Sequence, residues 1–295
     1  MQNTFKNTET FNSLVERKIG KDFMYHIAYN EPYDNFYHDL YNDLFYKNYV
    51  FKNNLSNGYY VEIGALDGVI NSQSFIFEKQ FKWDGIVVEP NPIWHENLKR
   101  YRKCKINKSA ITNQKGTDIF ECREMAAFSG LKSSTNDSRF SDIVNEVEVK
   151  TITLLDLFDK YNSPSVIDWV SIDTEGSEFD ILAHYFENNT KYKINLINFE
   201  SNDYSKAISF LDNQPYIRIK NPYLDFLKLS RKHGLLKFEP ITGELHKSYL
   251  LDNTIVPEFD DLLDVNFEHF YIHIDFLKEN LHLKKYIEYE KSLKL

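Results

Sequence analysis

Cysteine is scarce in this chain. Cys104 and Cys122 are the whole complement, in neither a metal-ligand spacing nor a CxxC pair. That argues against a disulfide framework and against a thiolate metal site. A reducing compartment, the cytoplasm, is the expected setting. Positive charge is in deficit as well: 35 Lys and Arg stand against 44 Asp and Glu, a net charge of -9. Proteins that track nucleic-acid phosphates have the opposite balance, so no nucleic-acid partner is expected. No run approaches the ~18 apolar residues of a membrane span. Residues 1–30 are polar and carry Glu9, Glu16 and Asp22 where a secretory leader has an apolar core. Internal repeats and low-complexity tracts are also missing.

What is present is a globular composition. Apolar residues make up 42% of the 295 positions and aromatics 16%, which excludes a disordered chain. A chain of about 300 residues buries roughly three-quarters of its unfolded surface and needs no staple. Residues 1–55 read as a helical layer, with Phe36, Tyr37, Leu40, Tyr41, Leu44 and Phe45 recurring at spacings of three and four. From Tyr59 the period changes. Short apolar runs at 59–63, 85–89 and 105–111 alternate with helical patterns at 72–81 and from Pro92 onward. That alternation predicts crossover units and a parallel sheet. Residues 117–122 and 147–152 read as strands, with a polar loop over 131–142 between them. Thr153 caps a helix running to Tyr161. Two further buried runs, 166–172 and 194–199, flank a helix over 177–186. Strands are predicted at 235–241, 246–251 and 269–274, and a terminal helix over 276–295. The expected division is a helical layer over 1–55, an α/β core over 56–205 and a C-terminal part over 206–295 that completes the sheet and shapes an acceptor site.

In an open parallel sheet a ligand sits at the carboxyl ends of the strands, where the strand order reverses. The first run ends in Glu62-Ile63-Gly64-Ala65-Leu66-Asp67-Gly68. Gly64 permits a tight turn and close backbone approach, and Gly68 a second bend. The second run ends at Glu89, roughly 20 residues on, where an acid can accept both ribose hydroxyls. The fourth run ends in Asp173-Thr174-Glu175-Gly176-Ser177-Glu178, and the fifth at Glu200. A dinucleotide site requires G-x-G-x-x-G. Here the third glycine is missing, and Asp67 would set a carboxylate against a pyrophosphate. The loop suits a nucleoside with a cationic or zwitterionic tail, as in S-adenosylmethionine.

Four ordered landmarks sharpen this reading. They are Tyr-Val-Glu-Ile-Gly-Ala-Leu-Asp-Gly at 60–68; Phe77-Glu78-Lys79 with Trp-Asp-Gly-Ile-Val-Val-Glu-Pro-Asn-Pro at 83–92; Ser129-Gly130; and Val-Ser-Ile-Asp-Thr-Glu-Gly-Ser-Glu at 170–178. Together, over roughly residues 40–200, the chain resembles the FkbM family of S-adenosylmethionine-dependent methyltransferases. The resemblance implies a class I methyltransferase sandwich, Rossmann-like, and O-methylation of a hydroxyl on a sugar, glycoconjugate or other small-molecule acceptor. It implies that Glu62, Gly64, Asp67 and Gly68 form the cofactor loop and that Glu89 binds the ribose. Ser109 and Ala110 would meet the adenine edge, and Asp173 and Glu175 would form the acidic motif. Leu66 stands where the family often carries Asn.

A hydroxyl must lose its proton near the transition state, and a carboxylate can take it. The resemblance implies that the fourth and fifth strands are neighbours, which makes Asp173 and Glu200 the candidates. Two routes fit them: one acid acts as a base with its pKa raised by the other, or the pair holds magnesium, which acidifies a bound hydroxyl. Glu175 and Glu178 also suit the positive end of the following helix. Among the histidines, His233, His246, His269 and His273 fall in the C-terminal region that would shape the acceptor pocket. A non-catalytic cofactor-binding scaffold or regulator is the competing reading.

Overall fold

A computed structural model describes residues 57–69, 72–79, 81–134, 142–201, 206, 210–211, 214–219 and 268–287. The expected helical layer over 1–55, the strands at 235–241 and 246–251, and His233 and His246 lie outside the described residues. The described residues belong to one compact unit, Asn54–Lys220 with Phe267–Leu295.

Its strands are β1 (Tyr59–Ile63), β2 (Asp84–Val88), β3 (Lys105–Asn107), β4 (Ala110–Ile111), β5 (Gly116–Arg123), β6 (Gly130–Leu131), β7 (Ile143–Ile152), β8 (Val166–Ile172), β9 (Lys193–Glu200), β10 (Tyr216–Ile219) and β11 (Glu268–His273). Its α-helices are α1 (Phe75–Lys79), α2 (His95–Tyr101), α3 (Leu154–Lys160), α4 (Glu178–Asn188) and α5 (Ile274–Glu279). The main sheet has seven strands in the order β10-β11-β9-β8-β1-β2-β3. The five from β9 to β3 are parallel, and β11 runs antiparallel to both β9 and β10. A second sheet, β4-β7-β5-β6, carries the excursion between β3 and α3.

The two faces of the main sheet differ. Side chains alternate along a strand, so Tyr59, Val61 and Ile63 share one face of β1 while Tyr60 and Glu62 share the other. The first face is apolar. Val61, Ile63, Ile86, Val88, Val170, Ile172, Ile197 and Phe199 join one buried cluster with Leu154, Leu157 and Phe158 of α3 and Ile181, Leu182 and Tyr185 of α4. Each such side chain, fully buried, stabilises the fold by about 1.5–3 kcal/mol. On the second face Phe77 of α1 stacks on Trp83, 4.6 Å between ring centroids, and lies against Trp169 and Tyr60. The register sets Glu62 beside Ser171, and Ser171 beside Asn198. A polar row therefore crosses the middle of a buried sheet. Gln73 bridges it: its Oε1 accepts from Ser171 Oγ at 2.8 Å and from Asn198 Nδ2, and its backbone N–H donates to Glu62 Oε1 at 2.6 Å.

Four details depart from the sequence pattern. The run over 105–111 is not one strand. Asn107 Oδ1 accepts from the Ser109 N–H at 2.7 Å, which turns the chain, so β3 stays in the main sheet while β4 joins the second. The helix expected over 72–81 shrinks to α1, because Ser72 and Ser74 give their hydroxyls to Glu62 and such bonds compete with helix. The terminal helix stops at Glu279, where Asn280 leaves helical geometry (φ -126°) and its Nδ2 donates to the Phe276 carbonyl. Strand β10 was not anticipated. The cap at Thr153 is as expected, in a full capping box with Asp156.

Candidate active site

The chain proceeds outward from β1 through β2 to β3, then returns to the other side of β1 as β8 and β9. The order reverses between β1 and β8, and the loops leaving these two strands bound the crevice where ligands of open α/β sheets bind. Ile63 pairs with Ile172, and the Asp173 N–H donates to the Ile63 carbonyl at 3.0 Å, so the loop after β1 begins against Asp173. Gly64 has φ +90°, and a Cβ there would collide with the Asp173 carbonyl oxygen. Gly64→Ala is therefore expected to destabilise the protein by at least about 1–2 kcal/mol from backbone conformation alone, with the collision adding to it. Denaturant unfolding measures the loss.

The loop then turns tightly. Gly64 and Ala65 both donate to the Val88 carbonyl, and the Gly68 N–H donates to the Ala65 carbonyl at 2.8 Å. Leu66 has φ +46°, a left-handed conformation that Asn tolerates better than Leu. Leu66→Asn is expected to raise stability by up to about 1 kcal/mol, read as a shift in denaturation midpoint. The Leu66 N–H donates to Glu89 Oε2 at 2.8 Å. Asp67 closes a local turn, accepting from the Val69 N–H at 2.8 Å. At Gly68 (φ +79°) a Cβ would press on Leu98 and on the Arg102 stem.

Glu89 is 3% exposed. Its second oxygen accepts from the Asn91 N–H at 2.7 Å. Burial pushes its carboxyl up to about 8, against the lowering effect of the two backbone donors. Asn91 in turn accepts from Cys122 Sγ of β5, which ties the second sheet to this loop. Ser109 and Ala110 follow the end of β3, and Ala110 lies in β4 of the second sheet. A cavity of about 270 Å³ opens here, lined by Pro90, Pro92, His95, Lys108, Ser109 and Val149 among others.

At the carboxyl ends of β8 and β9, Asp173, Glu175 and Glu200 bring one carboxylate oxygen each within 4.8 Å of one another, all three half-buried. Three hard oxygen donors so grouped are a donor set that suits magnesium. Glu175 sits at φ +59°. Glu178 faces its own loop, accepting from Thr174 N, Thr174 Oγ1 and Gly176 N. It braces the turn that presents Asp173 and Glu175.

Glu62 stands apart from these acids. Its carboxylate is 2% exposed and accepts from Ser72, Gln73 and Ser74 while pairing with Arg102. It ties β1 to the segment that follows the 64–68 turn. His269 and His273 are strand residues. His269 Nε2 lies 3.1 Å from the Ser201 carbonyl, and burial lowers its pKa to about 4. His273 caps α5 by accepting from the Asp275 N–H. The pattern reading missed Gln73, Asn198 and Arg102. Polar residues inside the apolar run 194–199, and the clustered Ser72-Gln73-Ser74, were the available signals; nothing local marked Arg102.

These features define an α/β chain with an acid-rimmed crevice at the switch point of a largely parallel sheet. The chain belongs to the methyltransferase FkbM family, whose domain model matches residues 62–218, 157 of the 295 positions. No curated protein matches it at a significant level. No helix among the described residues is long and apolar enough to cross a membrane.

Proposed function

We propose that this chain is an S-adenosylmethionine-dependent O-methyltransferase acting on a hydroxyl of a sugar or glycoconjugate. The observation that carries the reading is the convergence of the Gly64–Gly68 turn, the buried Glu89 and the Asp173-Glu175-Glu200 group on one switch-point crevice. Glu89 fits a ribose diol. Each oxygen already accepts one backbone N–H, and a carboxylate offers about four acceptor sites, so two remain. The turn at Gly64 allows close backbone approach, and Asp67 suits the cationic end of the methyl donor. Ser109 and Ala110 would border the adenine beside the cavity.

S-adenosylmethionine supplies an electrophilic methyl on a sulfonium. The chain's own residues hold the donor, orient the acceptor hydroxyl in line and take its proton. Asp173 is assigned the proton, with Glu200 and Glu175 raising its basicity through like charge. A magnesium ion, if one is used, would be held by Asp173, Glu200 and Glu175 and would acidify a coordinated hydroxyl. Proximity supplies much of the remaining acceleration.

The test is calorimetric titration with S-adenosylhomocysteine, with magnesium and with chelator, followed by transfer of labelled methyl to a panel of hydroxylated saccharides. Saturable binding with label in an acid- and base-stable ether supports the reading. A folded protein that binds no S-adenosylhomocysteine overturns it. Magnesium-dependent turnover selects the metal route.

A further inference from the structure

We propose that Arg102 is a positioning residue of this site, the buried clamp that holds the cofactor loop in its binding shape; the inference rests on the methyltransferase reading for what the loop binds. Arg102 follows α2 as its C-terminal cap and is 4% exposed. Its guanidinium makes six hydrogen bonds. Nε donates to Glu78 Oε2 at 2.8 Å. Nη1 donates to the Gly68 carbonyl at 3.1 Å, to Ser72 Oγ at 2.9 Å and to Glu62 Oε2 at 3.4 Å. Nη2 donates to Tyr60 Oη at 2.9 Å and to Ser74 Oγ at 2.7 Å. Every N–H of the guanidinium is used.

These partners bracket the loop. Tyr60 and Glu62 belong to β1 before it, Gly68 ends its turn, Ser72 and Ser74 follow it, and Glu78 lies on α1 beyond. The loop needs such a clamp, because Leu66 within it is held at φ +46°, a conformation costly to a residue with a Cβ, and strained backbone persists only where its surroundings over-determine it. The stem contributes too. The Arg102 Cγ lies so close to Gly68 that an added Cβ would come within 2.9 Å of it. Lysine cannot reproduce this arrangement, since one ammonium has three donors on a flexible stem in place of five in a planar fork. Two carboxylates around one guanidinium also explain the tolerance of a buried charge here, since each ion is paired and hydrogen-bonded.

The experiment compares wild type, Arg102→Lys and Glu78→Gln. Glu78→Gln loosens the clamp from the side remote from the loop and leaves Glu62 to balance Arg102, so it keeps the test alive if Arg102→Lys does not fold. Circular dichroism establishes folding. Amide hydrogen exchange without ligand then reads the Leu66, Gly68 and Val69 amides, each hydrogen-bonded within or beside the loop. The expected result is exchange at these three amides faster by about tenfold or more, the equivalent of about 1.4 kcal/mol of lost local protection, with the amides of β8 and β9 unchanged. S-adenosylhomocysteine affinity falls in parallel, and KM for the methyl donor rises while KM for the acceptor holds. Loop exchange and affinity at wild-type levels in a folded variant would overturn the proposal, as would a uniform rise in exchange over the whole sheet. Faster loop exchange in a chain whose wild type binds no S-adenosylhomocysteine upholds the clamp and rejects the methyl-donor reading instead.

Discussion

Asp173→Asn is expected to lower the methyl-transfer rate by about 10²–10⁴-fold, the usual contribution of a positioned general base, with S-adenosylhomocysteine affinity within a few-fold of wild type. The substitution keeps the size of the side chain and leaves the Asp173 main chain intact, including its N–H bond to Ile63 and its carbonyl against Gly64. The loop geometry is thereby spared while the proposed proton acceptor is removed. Single-turnover transfer of labelled methyl, together with calorimetric binding, measures both quantities. Turnover lost with binding retained separates an enzyme from a cofactor-binding scaffold. Unchanged turnover would move the base to Glu200 or Glu175, whose carboxylate oxygens share the same 4.8 Å group. Under the magnesium route, Asp173→Asn and Glu200→Gln would both shift the metal dependence of the rate.

Glu89→Gln should weaken S-adenosylhomocysteine binding by about 1.5–3 kcal/mol above pH 8, the range for hydrogen bonds to a charged group, and by less in acid. The reason is protonation. With its pKa raised from 4.5 to about 8 by burial, Glu89 carries a proton at neutral pH in the free protein. In the proposed complex a ribose diol would donate two hydroxyls and favour the ionised acceptor, so binding is expected to release that proton. Affinity then rises with pH, by at most about tenfold per unit below pH 8, and levels off above it. Calorimetry in buffers of different ionisation enthalpy counts the proton; affinity independent of pH would sink the assignment. The folded-state stability has the opposite slope. Between pH 4.5 and about 8 the folded state holds a proton that the unfolded chain has released, so this carboxyl makes stability fall as pH rises through that window. Glu89→Gln removes the slope, which thermal unfolding across the same range would reveal.

The family was legible because its landmarks are local. The turn at 64–68 needs glycine at two positive-φ positions, and the acids at 89, 173 and 200 end buried strands, where short apolar runs close abruptly. Periodicity served equally well for β1, β2, β8 and β9, since a doubly covered parallel strand reads as a continuous apolar run. It failed at 105–111, where one run feeds two sheets through an Asn107 turn, and at 72–81, where serine hydroxyls turn toward Glu62 in place of continuing a helix.

By itself, then, the order of residues determined the strand-helix alternation, the glycines of the turn after β1 and the kind of side chain at each strand end, because these depend on backbone conformation and on neighbours within a few positions. The family resemblance already implied that Asp173 and Glu200 meet; only the tertiary structure added Glu175 to them and separated the surroundings of the other two acids. Glu62 lies in β1 and Glu89 directly follows β2, yet one is buried against Arg102, 40 residues away, and the other is held by Leu66 and Asn91 at the crevice. Asp173, Glu175 and Glu200 became one group through the pairing of β8 with β9 and the turn braced by Glu178. The role of a carboxylate follows from the partners that share its low-dielectric surroundings, and those partners are brought together by strand order and register, which no local window of sequence contains.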